Sequence, residues 1–116
     1  MSEPERIHIT LLAIIESIEK VEKITANIHS VDEFENDFKS FDACLMNFIV
    51  MGEMTLRLHE TFLNKHNEIE WFKIRAFRNM VAHDYFGIDV EKVWDIIQNK
   101  LPELKQQISK VLTNNS

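Results

Sequence analysis

Apolar residues recur along this chain at alternating steps of four and three. With almost no glycine or proline to interrupt it, that spacing restricts the fold to helices packed side by side. Ile7, Leu11, Ile14, Ile18 and Val21 form one such row, with Glu16, Glu19, Lys20, Glu22 and Lys23 off it, which predicts an amphipathic helix over residues 5–28. A second row, Phe34, Phe38, Phe41, Leu45 and Phe48, predicts a helix opened by Ser30 and Glu33 as a capping box and running through Gly52 to residue 62. Glycine inside a helix costs about 1 kcal/mol relative to alanine, so Gly52, which falls on the continued seam, is expected where another helix passes close.

A polar loop at residues 64–68 leads to a third helix over residues 69–84, with Asn67 and Glu70 as its expected caps. Its core stripe is Ile74, Phe77 and Val81, and the opposite stripe carries Trp71, Arg75, Arg78, Ala82 and Tyr85. Gly87 is expected to end this helix and Asp89 to cap the next, whose apolar face is Val90, Val93, Trp94 and Ile97. Pro102 lacks a backbone donor and crowds the preceding turn, so it must kink or restart the helix. A short terminal helix through Leu104, Ile108, Val111 and Leu112 follows, with residues 113–116 expected to fray. Four amphipathic helices on short connections predict an all-α fold, an antiparallel four-helix bundle with a short additional C-terminal helix. At 116 residues the chain fits one domain, residues 1–116.

Composition narrows the chemistry. The sole cysteine, Cys44, excludes an internal disulfide and a cysteine-built metal cluster, and its place between Phe41 and Phe48 marks it as a core thiol. Of the five histidines, none is paired at i, i+4 with another, so His8, His29, His59 and His66 are read as surface or helix-end residues and no metal or other cofactor is expected. No leader segment and no apolar run near the roughly 18 residues of a membrane span is visible, which predicts a soluble, cytoplasmic protein without a membrane partner. The formal charge of −6 at pH 7 argues against a general nucleic-acid binder and against DNA. Acids crowd residues 16–37, while Lys73, Arg75 and Arg78 share one helix with Arg57 and Lys65 upstream, which leaves room for a local basic groove.

The segment Arg78-Asn79-Met80-Val81-Ala82-His83-Asp84-Tyr85 gathers a permanent cation, an amide, an imidazole and the only tyrosine on one predicted helix. On an ideal helix Arg78 and Tyr85 share a face, and Asn79 and His83 form an i, i+4 pair beside them. Such groups on a helix are more often solvated or capping than catalytic, but together they are the tools for chemistry on phosphates. Glu53, Glu60 and Asp84 are carboxylates that could act as bases, although acids on long helices usually belong to solvated faces.

Arg78, four residues, His83, one residue, Tyr85, flanked by Ile69-Glu70-Trp71, Ile88-Asp89, Val93-Trp94 and Leu101-Pro102 and preceded by Gly52-Glu53, resembles the HepT-like branch of the HEPN superfamily. The likeness runs over residues 45–104, and it departs from many relatives at Asp84, where glycine is common and where this chain sets a negative charge near the site. The resemblance implies a toxin of a toxin–antitoxin pair, a metal-independent endoribonuclease acting on RNA with Arg78 and His83 as catalytic residues. Asn79, Arg75 and Glu53 would support them, Glu53 by salt-bridging and orienting an arginine. It also implies that Tyr85 is the acceptor when a cognate MntA-type minimal nucleotidyltransferase, the antitoxin, attaches adenylate to silence the toxin.

An imidazole can take the proton of a ribose 2′-OH, and a guanidinium can hold two phosphate oxygens as charge builds on phosphorus. Asn79 can donate to phosphate or fix the imidazole ring. Arg78 and His83 are about 140° apart around one ideal helix and roughly 7.5 Å apart along it. They therefore converge better across a two-fold dimer than within one chain, and the resemblance implies a homodimer, open to joining the antitoxin in a higher hetero-oligomer. Two other classes fit the same residues: a non-catalytic helical, nucleotide-binding partner of a nucleotidyltransferase, and a plain structural bundle.

Overall fold

The computed structural model describes residues 1–114, and every regular element in them is helical. Helix α1 spans Glu3–Thr25, α2 Val31–Glu35, α3 Phe38–Thr55, α4 Glu60–Lys65, α5 Trp71–His83, α6 Val90–Asp95 and α7 Leu101–Asn114. A 3-10 turn, Tyr85–Gly87, follows α5, and a π-helical segment, Ile96–Lys100, joins α6 to α7. Helix α3 packs against both α1 and α5, and α7 packs against α1. The fold is thus an all-α helical bundle.

Helix α1 begins earlier than its apolar row suggests because Ser2 and Glu5 close a capping box in which Ser2 Oγ accepts from the Glu5 amide at 3.2 Å. Its seam is buried as its spacing predicts, with Leu11, Ile14, Ile18 and Val21 packed against Cys44, Leu45, Phe48 and Met51 of α3. Burial pushes the Cys44 thiol up to about 12, so it is an inert core group.

The expected second helix is three pieces. Asp37 interrupts it by capping α3, accepting from the Ser40 amide at 3.1 Å and the Ser40 hydroxyl at 2.7 Å. These bonds hold the Asp37 carboxyl below its ordinary value. The bend sends the phenylalanines apart: Phe34 is fully buried, its ring 5.4 Å from Phe41 and 5.3 Å from Trp94, whereas Phe38 is 66% exposed. At the upstream cap Ser30 accepts from the Glu33 amide, and the Glu33 carboxylate takes the amide of His29.

The other end of α3 is closed from outside. The Thr55 carbonyl accepts both from the Leu58 amide at 3.2 Å and from Arg75 Nη2 at 2.7 Å, while Thr55 Oγ1 accepts from Arg75 Nε at 3.2 Å. The chain then tightens, with the Arg57 and Leu58 amides bonding three residues back. Gly52 does mark a close approach, since a Cβ built there would overlap Cβ and Cγ of Arg78 on α5. Those atoms sit at the rigid base of the side chain, so Gly52→Ala is expected to force the helices apart. The overpacking cost of about 1–3 kcal/mol should outweigh the helix-propensity gain of about 1 kcal/mol, and thermal unfolding should show a lower midpoint.

Glu70 is itself the N-cap of α5 and makes no side-chain capping bond, so the expected Asn67–Glu70 cap is not formed. Trp71, assigned by spacing to the outer stripe, is buried, and its indole donates to the His66 carbonyl at 3.0 Å. His66 ends α4, and its ring packs 4.7 Å from Phe62. Downstream, Asp89 caps α6 by accepting from the Glu91 amide. The helix passes Pro102 without stopping: the Leu101 amide bonds five residues back to Ile96, and this widened turn accommodates the missing proline donor. Helix α7 runs through Asn114, so residues 113 and 114 are helical, and the remainder of the expected frayed tail, 115–116, lies outside the described residues.

Candidate active site

Helices α3 and α5 run antiparallel, and three contacts fix their register: Arg75 to Thr55, Arg78 to Glu53, and Tyr85 to Asp42. The site is built on this pair. Because Gly52 has no side chain, the stem of Arg78 lies directly on α3 and the guanidinium turns toward the next residue, Glu53. Arg78 Nε donates to Glu53 Oε1 at 2.9 Å, Nη2 donates to the same oxygen, and Nη1 donates to Asn79 Oδ1 at 3.0 Å. The Arg78 side chain is 26% exposed. Three of its five N–H groups are committed to holding the plane, which leaves one on each terminal nitrogen for an incoming anion.

Asn79 spends its carbonyl oxygen on Arg78, so it orients the guanidinium and keeps its NH₂ group available. His83 is the last residue of α5 and is exposed. Among the described residues it makes no side-chain hydrogen bond or ion pair. The final carbonyls of α5 lie beside it.

Two expectations about this region change. Helix α5 stops at His83, so Tyr85 does not continue the Arg78 face; it sits in the 3-10 turn and its hydroxyl donates to Asp42 Oδ1 at 2.5 Å. That bond, together with the neighbouring carboxylate charge, holds the Tyr85 hydroxyl above the ordinary tyrosine value. The α5 cations do not form one groove. Arg75 closes the end of α3, whereas Lys73 pairs with Glu70 at 2.7 Å on the other side of α5, beside a cleft of about 440 Å³ between α5 and α7. Spacing missed Thr55 and Asp42, the α3 partners of Arg75 and Tyr85, because they lie 20 and 43 residues away in sequence.

Among the described residues no three His, Cys, Asp or Glu side chains converge to hold a metal ion, and no helix is long and apolar enough to cross a membrane. Apolar side chains stand open around the site. Phe38 and Met46, on the stripe of α3 that carries Asp42 and Glu53, are 66% and 60% exposed, and Phe86, next to Tyr85, is 97% exposed.

The structure is an all-α bundle that presents a braced arginine and an open histidine from one helix, with a tyrosine just beyond. The chain belongs to the HepT-like ribonuclease family, whose model matches residues 14–111. Among its relatives is a provisionally named RNase of Methanocaldococcus jannaschii, 33% identical over 102 residues, with 88% of this chain and 84% of the relative covered. Another is a protein of Thermococcus cleftensis provisionally named ribonuclease HepT, 31% identical over 98 residues, covering 84% of this chain and 88% of the relative. A further Methanocaldococcus jannaschii relative, 31% identical over 106 residues and 91% of this chain, is longer. Its name joins a gamma-glutamylcyclotransferase to an RNase, and the chain spans 47% of it. No solved structure matches the chain.

Proposed function

We propose that this chain is the toxin of a toxin–antitoxin pair, a metal-independent endoribonuclease of the cytoplasm built as a single HEPN-like domain. In this reading the 2′-oxygen of a ribose attacks the adjacent phosphorus while His83 takes its proton. The bond to the 5′-oxygen breaks, that oxygen leaves with the electron pair and takes a proton from water, and the products are a 2′,3′-cyclic phosphate and a 5′-OH. Arg78 stabilises the charge on phosphorus, with its plane set by Glu53 and Asn79 before substrate arrives, and a preorganised donor of this kind is worth about 3–4 kcal/mol of barrier. Arg75 supports the site at one remove by ending α3 just past Glu53.

The observation that carries the reading is the bracing of Arg78, because a guanidinium tied on its inner edge and open on its outer edge is prepared for a phosphate. A homodimer completes it. The helical spacing of Arg78 and His83 disfavours their convergence within one chain, and Met46, Phe38 and Phe86 supply apolar surface beside the motif for a second copy to cover. Tyr85 is then the acceptor at which a cognate MntA-type nucleotidyltransferase attaches adenylate and silences the toxin, in a hetero-oligomer with it. Adenylate there would set a phosphate at the edge of the site and compete with RNA.

Incubation of the purified chain with mixed RNA in excess chelator tests the reaction. Cleavage with cyclic-phosphate ends is the expected result. Cleavage that appears only when a divalent ion is restored would overturn the metal-independent mechanism, and no cleavage under either condition would point to the non-catalytic partner role.

A further inference from the structure

Tyr85 is held by one contact that the cleavage reaction does not use. Its hydroxyl donates to Asp42 Oδ1 at 2.5 Å, a bond that reaches from the turn after α5 to the outward stripe of α3. Both residues are exposed, Tyr85 at 43%, so a second enzyme can reach the hydroxyl while Asp42 still holds it. The bond aims the proton at the carboxylate and leaves the oxygen lone pairs turned away from it.

We propose that Asp42 is the residue that positions the Tyr85 hydroxyl and accepts its proton during transfer of a nucleotidyl group to that residue. The inference rests on the reading of Tyr85 as acceptor. Tyr85 Oη attacks the α-phosphorus of a nucleoside triphosphate held by the nucleotidyltransferase, forming the Oη–P bond. The bond from that phosphorus to the bridging oxygen of the β-phosphate breaks, and pyrophosphate leaves with its electron pair. The proton passes to Asp42 Oδ1. Because the hydroxyl is held above the ordinary tyrosine value, free phenolate is scarce near neutral pH and a proton acceptor in contact with Oη matters more. The transfer also dissolves the contact: the modified oxygen has no proton to donate, and the adenylate phosphate faces a carboxylate of like charge once Asp42 has released its proton to solvent.

The test follows adenylate mass gain on the full chain, with purified cognate nucleotidyltransferase, ATP and magnesium, using intact-mass measurement. Asp42→Asn is expected to slow the gain about 100-fold at pH 7, the lower end of the range for a lost proton acceptor. Asp42→Glu should recover most of the rate. As pH rises from 7 to 9 the ratio of wild-type to Asp42→Asn rates should fall, because hydroxide increasingly replaces the carboxylate, and a structural defect would leave that ratio constant. Equal rates for wild type and Asp42→Asn, or a ratio independent of pH, would overturn the role of Asp42 while leaving Tyr85 as acceptor. Absence of adenylate on the wild-type chain, or adenylate mapped to another residue, would overturn the acceptor reading and this inference together. RNA cleavage does not enter the readout.

Discussion

His83→Ala is expected to slow RNA cleavage by about 10² to 10⁴, the range for loss of a general base, with the fold intact. The two effects separate because of where the residue sits. His83 is exposed at the end of α5 and, among the described residues, no side chain pairs with it, so truncation leaves no buried group orphaned and opens no cavity. Its structural worth is that of one exposed side chain at a helix end, about 0.5 kcal/mol or less. Thermal unfolding should move by no more than a few degrees while initial cleavage rates collapse. His83→Ala cleaving RNA at the wild-type rate would remove the imidazole from the mechanism.

The contrast with the other residues of the site explains what the sequence could and could not disclose. Apolar spacing was enough for α1, for the Ile74–Phe77–Val81 side of α5 and for the closeness at Gly52, because each depends on the helical repeat and on the size of a side chain at one position. Features decided by distant partners were not legible. At the end of α3 the Thr55 carbonyl is shared between the Leu58 amide and a guanidinium 20 residues later. Trp71 turns inward because the His66 carbonyl is available to its indole.

The break at residues 36–37 did have a local signal. Asp37 with Ser40 is a capping pair, but the unbroken row of phenylalanines across it has the spacing of a continuous seam, and the cap prevailed over the pattern. The same trade displaced Tyr85. A perfect helix carries it onto the Arg78 face, yet α5 closes at His83, and the tyrosine swings to a carboxylate 43 residues away. The bracing of Arg78 by Glu53 lay between these cases: a family pattern suggested the pair, and the glycine that lets the two helices touch makes it geometrically available.

The second large effect concerns the pairing of Arg78 with His83 across two subunits. Each single replacement, Arg78→Ala and His83→Ala, is expected to be inactive as a homodimer, since both sites then lack the same group. In a mixed dimer with composite sites one site lacks both residues and the other has both. Random assortment of equal amounts makes about half the dimers mixed, so about one quarter of the wild-type cleavage should return with no new contact formed. If each site were built within one chain, every site in the mixture would lack one of the two groups. The decisive measurement is the RNA cleavage rate of the two inactive proteins after subunit exchange, with mixed dimers verified by native mass. Recovery of about one quarter of the wild-type rate is the predicted result, and activity that stays at the level of the separate variants would contradict a site shared between subunits.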